Sequence, residues 1–386
     1  MSQLINFQYY VILGLSLAST IIAISNNFFL RRFISKTIEF DNNIFVSVLI
    51  PARNEEGKIY KCLEALVNQT YGNLEIIVLN DNSDDATPQI VTQFEKDHCK
   101  VKLINGIDLP LGWGGKNWAC HQLANSANGE YILFLDSDTV FQSDTIEIAL
   151  QESVNNNVDL LTLIPKRHPS SIVELLMFPF MNWAIFSWLP IKIAHRSKNS
   201  YLSATFGQFM LFKKEAYLHI GGHEKVHGNA IDDFQLGRFV KKSGLKWMLL
   251  DGTNMIESMP YDNSKEAFNG ISRSIFPALN YSVSTLFILS LSLMWMIFIP
   301  LVTIFYGLFS SIGNSKYLLV ATIALSGFLI SWTLTCRRFQ YPLRAIPMFP
   351  FSVLFMICLA FHSMVSVIRK TTVWKERKIH TEKMRF

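Results

Sequence analysis

The strongest constraint on this chain is its long uncharged apolar sequence. From Ile275 to Cys336 the only charged residue is Lys316. That window suits two membrane-crossing helices of about 20 residues each. They fall at about 283–309 and 317–335, with a turn over 310–316 between them. A further uncharged run covers Tyr9 to Phe29, with no basic residues before it and no small-residue cleavage site. It reads as an anchor and not as a signal peptide. Arg31, Arg32 and Lys36 follow that run, and Arg337, Arg338 and Arg344 follow the later pair. Positive charge collects on the cytoplasmic side of membrane segments. Residue 30 onward is therefore expected in the cytoplasm, in an integral protein of the cell membrane.

Two other apolar segments are less simple. Ile346–Ile368 is uncharged, but a plain span there would place the basic tail outside, against the charge rule. Pro342, Pro347 and Pro350 allow it to re-enter or to lie in the interface, and a cytoplasmic tail is the expectation. Ile172–Ile191 contains Glu174 and is broken by Pro179 and Pro190. An interfacial helix beside the site is expected there, since both flanks must stay with one domain.

Composition agrees. The chain is 50% hydrophobic and 17% charged, too apolar for one ordinary soluble domain of 386 residues. After residue 368 there are seven basic residues against Glu376 and Glu382, which equals the whole-chain net charge of +5. A basic tail after an apolar run reads as a membrane-surface anchor, and no nucleic-acid partner is indicated. Five scattered cysteines without CxxC spacing argue against a disulfide framework or a zinc site.

Between the apolar ends, residues 45–255 alternate short β runs with helical stretches. Strand patterns occur at 46–52, 74–80, 101–105, 131–136 and 159–165, and helical patterns at 58–68, after Pro88, at 116–127 and at 144–154. Such alternation implies a largely parallel sheet with helices on both faces. Ligands in such sheets bind beyond the carboxyl ends of the strands. The polar clusters fall there: Arg53–Glu55, Asp81–Asp85 and Asp136–Asp138.

Asp136-Ser137-Asp138 places two carboxylates one residue apart at a strand end, a pattern that can share Mg²⁺ or Mn²⁺ with phosphate oxygens. The pattern is common, and helix capping is the structural alternative. Together with IPARNEE (50–56) and IIVLNDNSDDAT (76–87), it resembles in order and spacing the inverting family 2 glycosyltransferases of the GT-A fold. The resemblance implies an α/β fold with a GT-A nucleotide-sugar-binding mixed sheet, and transmembrane helices at both ends. It also implies a nucleotide-sugar donor held by Pro51, Arg53, Glu55 and Asp81, with metal on Asp138 and Asp136. For Asp81 the alternative is a turn aspartate bonded to its own backbone.

The stretch Gly112-Trp113-Gly114-Gly115-Lys116-Asn117-Trp118-Ala119-Cys120 is more specific. A glycine loop ending in a lysine at a helix start suits a diphosphate. Its spacing is not that of a Walker A loop. It resembles the membrane-bound subgroup containing hopene-associated and carotenoid (diaponeurosporenoate-type) glycosyltransferases. By the same resemblance, Gly207, Gln208 and Trp113 lie on the acceptor side, and Asp233 is the catalytic base beside Asp232. The usual Glu-Asp pair is Asp-Asp here, and helix capping by that pair is compatible with the role. The QxxRW element of cellulose-synthase-like relatives is absent. Arg273 and the Trp374–Lys378 stretch are the remaining candidates for a diphosphate clamp.

The resulting expectation is an N-terminal anchor (1–40), a catalytic domain (41–274), a membrane region (275–368) and a basic tail (369–386). The expected activity moves a sugar, with UDP-sugar the family default, to a lipid or isoprenoid acceptor such as a carotenoid or hopanoid. Transfer to polyprenyl phosphate, polysaccharide synthesis with export and a non-catalytic scaffold are the alternatives.

Overall fold

A computed structural model describes residues 2–33, 43–309, 315–374, 377–378 and 384–385. Lys36, the turn residues 310–314, Lys375, Glu376 and Lys383 lie outside them. The chain opens with α1 (Ser2–Phe29) and then alternates strand and helix: β1 (Val46–Ala52), α2 (Ile59–Val67), β2 (Leu74–Asn80), α3 (Thr87–Asp97), β3 (Val101–Asn105), α4 (Gly115–Ser126) and β4 (Tyr131–Phe134). Next come β5 (Thr139–Phe141), α5 (Thr145–Asn155), β6 (Leu160–Ile164), β7 (Lys166–Arg167), α6 (Ile172–Phe186), α7 (Ile191–Arg196), β8 (Met210–Lys213) and α8 (Lys214–His219). Then follow α9 (Asp232–Lys242), β9 (Trp247–Asp251), β10 (Ile256–Ser258), α10 (Ser264–Ala278), α11 (Val283–Phe309), α12 (Ser315–Arg338) and α13 (Phe349–Ile368), and last a two-stranded pair, β11 (Val373–Trp374) and β12 (Arg377–Lys378).

Seven strands form one sheet in the order β3-β2-β1-β4-β8-β6-β9. Its strands are parallel except β8, which runs against β4 and β6. The sheet is therefore largely parallel, as the alternation implies, and the one reversed strand makes it the mixed sheet that the resemblance implies. The reversal has a use. A strand opposed to its neighbours begins where they end, so the residues entering β8, Gly207 to Phe209, lie at the carboxyl edge. A small sheet, β5-β10-β7, stands beyond that edge.

β1 and β2 are buried almost throughout, which fits strands covered on both faces. The loops after them turn through asparagines with left-handed backbone, Asn54 and Asn82 (both φ 51°), a conformation asparagine tolerates better than most residues.

Among the described residues, four helices are long and apolar enough to cross a membrane: residues 6–29 of α1, α11, residues 316–338 of α12, and α13. α1 and α12 approach closely through small residues. Ser16 Oγ donates to the Ala324 carbonyl (2.6 Å) and Thr20 Oγ1 to the Gly327 carbonyl (2.8 Å). A Cβ on Gly327 would sit 2.3 Å from Ser16 Oγ. Small residues permit such contact where solvent gives no hydrophobic drive between helices.

These helices share a core with the sheet. Leu30, Trp183, Trp332 and Phe349 join Leu49, Ile77, Leu160 and Leu249 in one buried apolar cluster. α12 is clamped to the sheet by Arg338. Its Nε lies 2.6 Å from Asp251 Oδ2 at the end of β9, and its Nη2 donates to the Leu30 carbonyl at 2.6 Å. Both side chains of the ion pair are buried.

α6 and α13 settle beside this clamp. The 15 residues of α6 rise about 22 Å, short of a roughly 30 Å hydrocarbon core. Glu174, the charge that disrupts its apolar run, is fully buried in a capping box with Ser171 and also accepts from Tyr261 N (3.1 Å). α13 begins against Trp332 and Trp183, whose rings lie 4.9 and 5.4 Å from that of Phe349. It then follows α10, with Ser272 Oγ 3.0 Å from His362 Nδ1 and Phe276 N donating to Ser363 Oγ. α13 is thus held by α6 and α12 at its start and by α10 further along. Arg385 returns to the start of α11, where its N–H donates to the Tyr281 carbonyl (2.9 Å).

Replacing Arg338 by Ala leaves Asp251 buried and uncompensated, so we expect a loss of roughly 3–5 kcal/mol of stability. Thermal unfolding in one detergent checks this, and an unchanged midpoint would show that the clamp carries no load.

Candidate active site

The carboxyl edge of the main sheet opens on two adjoining cavities. The first, about 470 Å³, is polar and includes Pro51, Glu55, Lys116, Asp136, Asp138 and Arg273 in its lining. The second, about 680 Å³, is mostly apolar. It runs from Asp232 and Asp233 between α6, α10 and α11, past Phe180, Trp188 and Met296, to Leu289 on an exposed face of α11. Lys116, Asp136, Asp138, Gln208, Tyr261, Gly270 and Arg273 line both.

The loops after β1 and β2 latch to each other. Arg53 Nη1 donates to the carbonyls of Asp81 and Asn82 (2.7 Å each), Glu55 N donates to Thr87 Oγ1 (2.8 Å), and Asp81 N donates to the Ala52 carbonyl (2.8 Å). Pro51 and Glu55 reach the polar cavity, whereas Arg53 and Asp81 are buried behind it.

Lys116, in the first turn of α4, donates to Asp136 Oδ1 at 2.6 Å. The start of α4 is fixed from outside, since Asn117 Nδ2 donates to the Val226 and Asn229 carbonyls and Gly114 N to the His227 carbonyl (2.7 Å). That amide is engaged with the protein and does not face a diphosphate. Burial alone would lower the Lys116 ammonium, but Asp136 and Asp232 outweigh it and keep the charge on.

Asp232 and Asp233 open α9, where the helix dipole favours negative charge. Asp233 Oδ2 accepts from Gly207 N (3.0 Å), and its Oδ1 accepts from Phe234 N (2.8 Å). Asp232 lies 3.5 Å from His223 Nε2, whose Nδ1 meets Tyr217 OH at 2.9 Å. The two carboxyls are driven apart. Burial, then the neighbouring Asp232 charge, pushes Asp233 up to about 7. Burial would raise Asp232 as well, but Lys116 and His223 overcome it and hold that carboxyl low.

A third carboxyl is also displaced. Asp138 is pushed up to about 7 by burial, then by Asp136 and Glu55. This crowding of negative charge suits a divalent cation. Among the described residues no cluster of three or more ligating side chains stands ready for a metal. Asp136 and Asp138 therefore fit an ion that takes its remaining oxygens from a diphosphate and water.

Not every expected residue reaches the cavities. Trp113 lines neither; it packs on Trp118, His121 and His227 with ring centroids 4.9, 5.0 and 5.5 Å away. Trp374 belongs to a short antiparallel pair with Arg377. Arg273, a marginal candidate in sequence, lines both cavities. His223, Tyr261 and Arg167 carry no motif, and only the strand order and the turn before α10 bring them in.

A family model, "Glycosyl transferase family 2", matches residues 47–221. This stretch is a family 2 glycosyltransferase domain. A 4,4'-diaponeurosporenoate glycosyltransferase of Staphylococcus haemolyticus is 26% identical over 305 residues, 76% of each chain. The Staphylococcus aureus protein of that name is 29% identical over 228 residues, 56% of each chain. Among solved structures, the mannosyltransferase PcManGT from Pyrobaculum calidifontis, in complex with GDP-Man and Mn²⁺, has a TM-score of 0.54 at 14% identity, covering 93% of this chain and 98% of that one. It shares the GT-A fold. The chain is a glycosyltransferase with apolar helices at both ends.

A Cβ on Gly207 would lie 3.3 Å from both Asp233 Oδ2 and Lys116 Nζ. Gly207→Ala displaces the two groups together, and we expect transfer to fall on the order of tenfold to a hundredfold. Steady-state kinetics beside a melting curve checks this, with the midpoint expected to move little.

Proposed function

We propose that the chain is a membrane-bound inverting glycosyltransferase that moves a sugar from a nucleotide-sugar donor to an isoprenoid or lipid acceptor. The observation that carries this reading is the apolar cavity leading from Asp233 to the exposed face of α11. A water-soluble acceptor has no use for such a passage. The long tail of a carotenoid or hopanoid does.

The donor lies in the polar cavity, with its nucleoside toward Pro51 and Glu55 and the pocket wall backed by Arg53 and Asp81. Lys116 and Arg273 face its diphosphate and stabilise the charge that develops as the nucleoside diphosphate leaves. Mg²⁺ or Mn²⁺ on Asp136 and Asp138 would neutralise the same phosphates. Asp233 removes the proton from an acceptor hydroxyl, which attacks the anomeric carbon from the face opposite the diphosphate. One displacement inverts that centre. Asp232, held ionised, and Lys116, held protonated, keep fixed charges beside Asp233. A UDP-sugar is the donor to try first, and the catalytic domain faces the cytoplasm in this reading. Tail pairing at the start of α11 supports a tail on that same side.

Asp233→Asn should lower transfer to a hydroxyl acceptor by about 10²–10⁴-fold while donor affinity stays within a few-fold. Substantial residual turnover would remove Asp233 from the base role. The pH dependence follows from its displaced carboxyl. The base works ionised, so kcat/KM should decline as pH falls through about 7 and level off above it. A profile flat between pH 6 and 8 would contradict the assignment.

A further inference from the structure

Arg167 stands in the apolar cavity with a part of its guanidinium unused. It is 8% exposed and lines that cavity but not the polar one. Its Nη1 is buried with no hydrogen-bond partner. Its Nη2 reaches Gln208 Oε1 at 3.5 Å, the limit of a hydrogen bond. The rings of Phe178 and Phe206 lie 5.4 and 5.7 Å from its Cζ. It takes part in none of the ion pairs found among the described residues.

A buried cation without a counter-charge is costly, by several kcal/mol even after relaxation. Aromatic faces offset a part of that cost. The position is fixed by the fold: Arg167 pairs in register with Ser258, and Ser258 with Thr139, the residue after Asp138. Gln208, its neutral neighbour, follows Gly207, whose amide holds Asp233. Arg167 thus sits at the inner end of the cavity, close to where the sugar must be delivered. The donor's phosphates have Lys116 and Arg273, which line both cavities, whereas Arg167 lines the apolar one alone.

We propose that Arg167 is an acceptor-specificity residue, whose unpartnered guanidinium nitrogen binds an anionic head group, a carboxylate or a phosphate, carried by the lipid acceptor. An anion that itself takes the sugar needs no proton removed, so the role of Asp233 is confined to acceptors that react through a hydroxyl. This rests on the apolar cavity being the acceptor path. The tail fills the space between α6, α10 and α11, and the anion reaches Arg167 at its end. An alcohol with the same tail leaves the nitrogen unpaired.

The test is equilibrium binding to full-length protein in nanodiscs of zwitterionic lipid, with three labelled probes of one tail: geranylgeranoic acid, geranylgeranyl phosphate and geranylgeraniol. Wild type should bind at least one of the two anions about tenfold or more tightly than the alcohol, as expected for a charge-assisted hydrogen bond out of water. Arg167→Gln should abolish that preference while alcohol binding is unchanged, and Arg167→Lys should keep a part of it. A preference for the acid alone identifies a carboxylate acceptor, and one for the phosphate alone a phosphate. Equal binding of all three probes to wild type overturns the role of Arg167, as does an equal loss of all three in Arg167→Gln. Should Arg167→Gln fail to fold, the wild-type comparison and Arg167→Lys still decide. If none of the three binds to wild type, the apolar cavity is not the acceptor path, and the acceptor reading fails with this one.

Discussion

The pairing of Arg338 with Asp251 holds the two halves of the molecule in one frame. Asp251 ends the outermost strand of the main sheet, and Arg338 ends an apolar helix. The same guanidinium also holds the Leu30 carbonyl at the end of the N-terminal helix. Three chain segments far apart in sequence therefore meet at one buried charge pair. Such pairs are poor sources of net stability but unforgiving of the loss of one partner, so they fix position more than they add energy. The orientation of the sheet edge relative to the apolar helices follows from this point. The cavity that joins the two halves depends on that orientation.

Within the frame, the site is an exercise in separating like charges. Asp136, Asp138, Asp232 and Asp233 gather near one lysine at the edge of the sheet. Lys116 is committed to Asp136 and Asp232, so Asp233 is left as the carboxyl that binds its proton most readily on its side of the site. His223 supports the division by facing Asp232 from below. The base role proposed for Asp233 asks for a carboxyl that takes a proton near neutral pH, and burial with a charged neighbour held fixed is a way to make one.

Much of this was legible in the chain itself. Strand β1 was read at its observed bounds because VSVLIPA is an unbroken buried run, and α11 because no charge interrupts it. The aspartate clusters were legible because βα loops place polar residues at strand ends by necessity. The direction of β8 was not, since alternation of elements carries no information on which way an inserted strand points. The packing of Trp113 was not legible either: the resemblance sets it on the acceptor side, while its ring lies on Trp118 and His121 of α4 and lines neither cavity. Arg167 was invisible because its environment is made by Phe178, Phe206 and Gln208, none of which adjoins it in sequence. Glu174 looked like a flaw in an apolar segment and proved to be the cap of α6.

That cap has an energetic meaning beyond its helix. One oxygen of Glu174 secures the start of α6, a wall of the apolar cavity, and the other secures the backbone of Tyr261, which lines both cavities. The two compartments therefore share a wall whose fastening is one carboxylate, and any coupling between their occupants would have to be reciprocal.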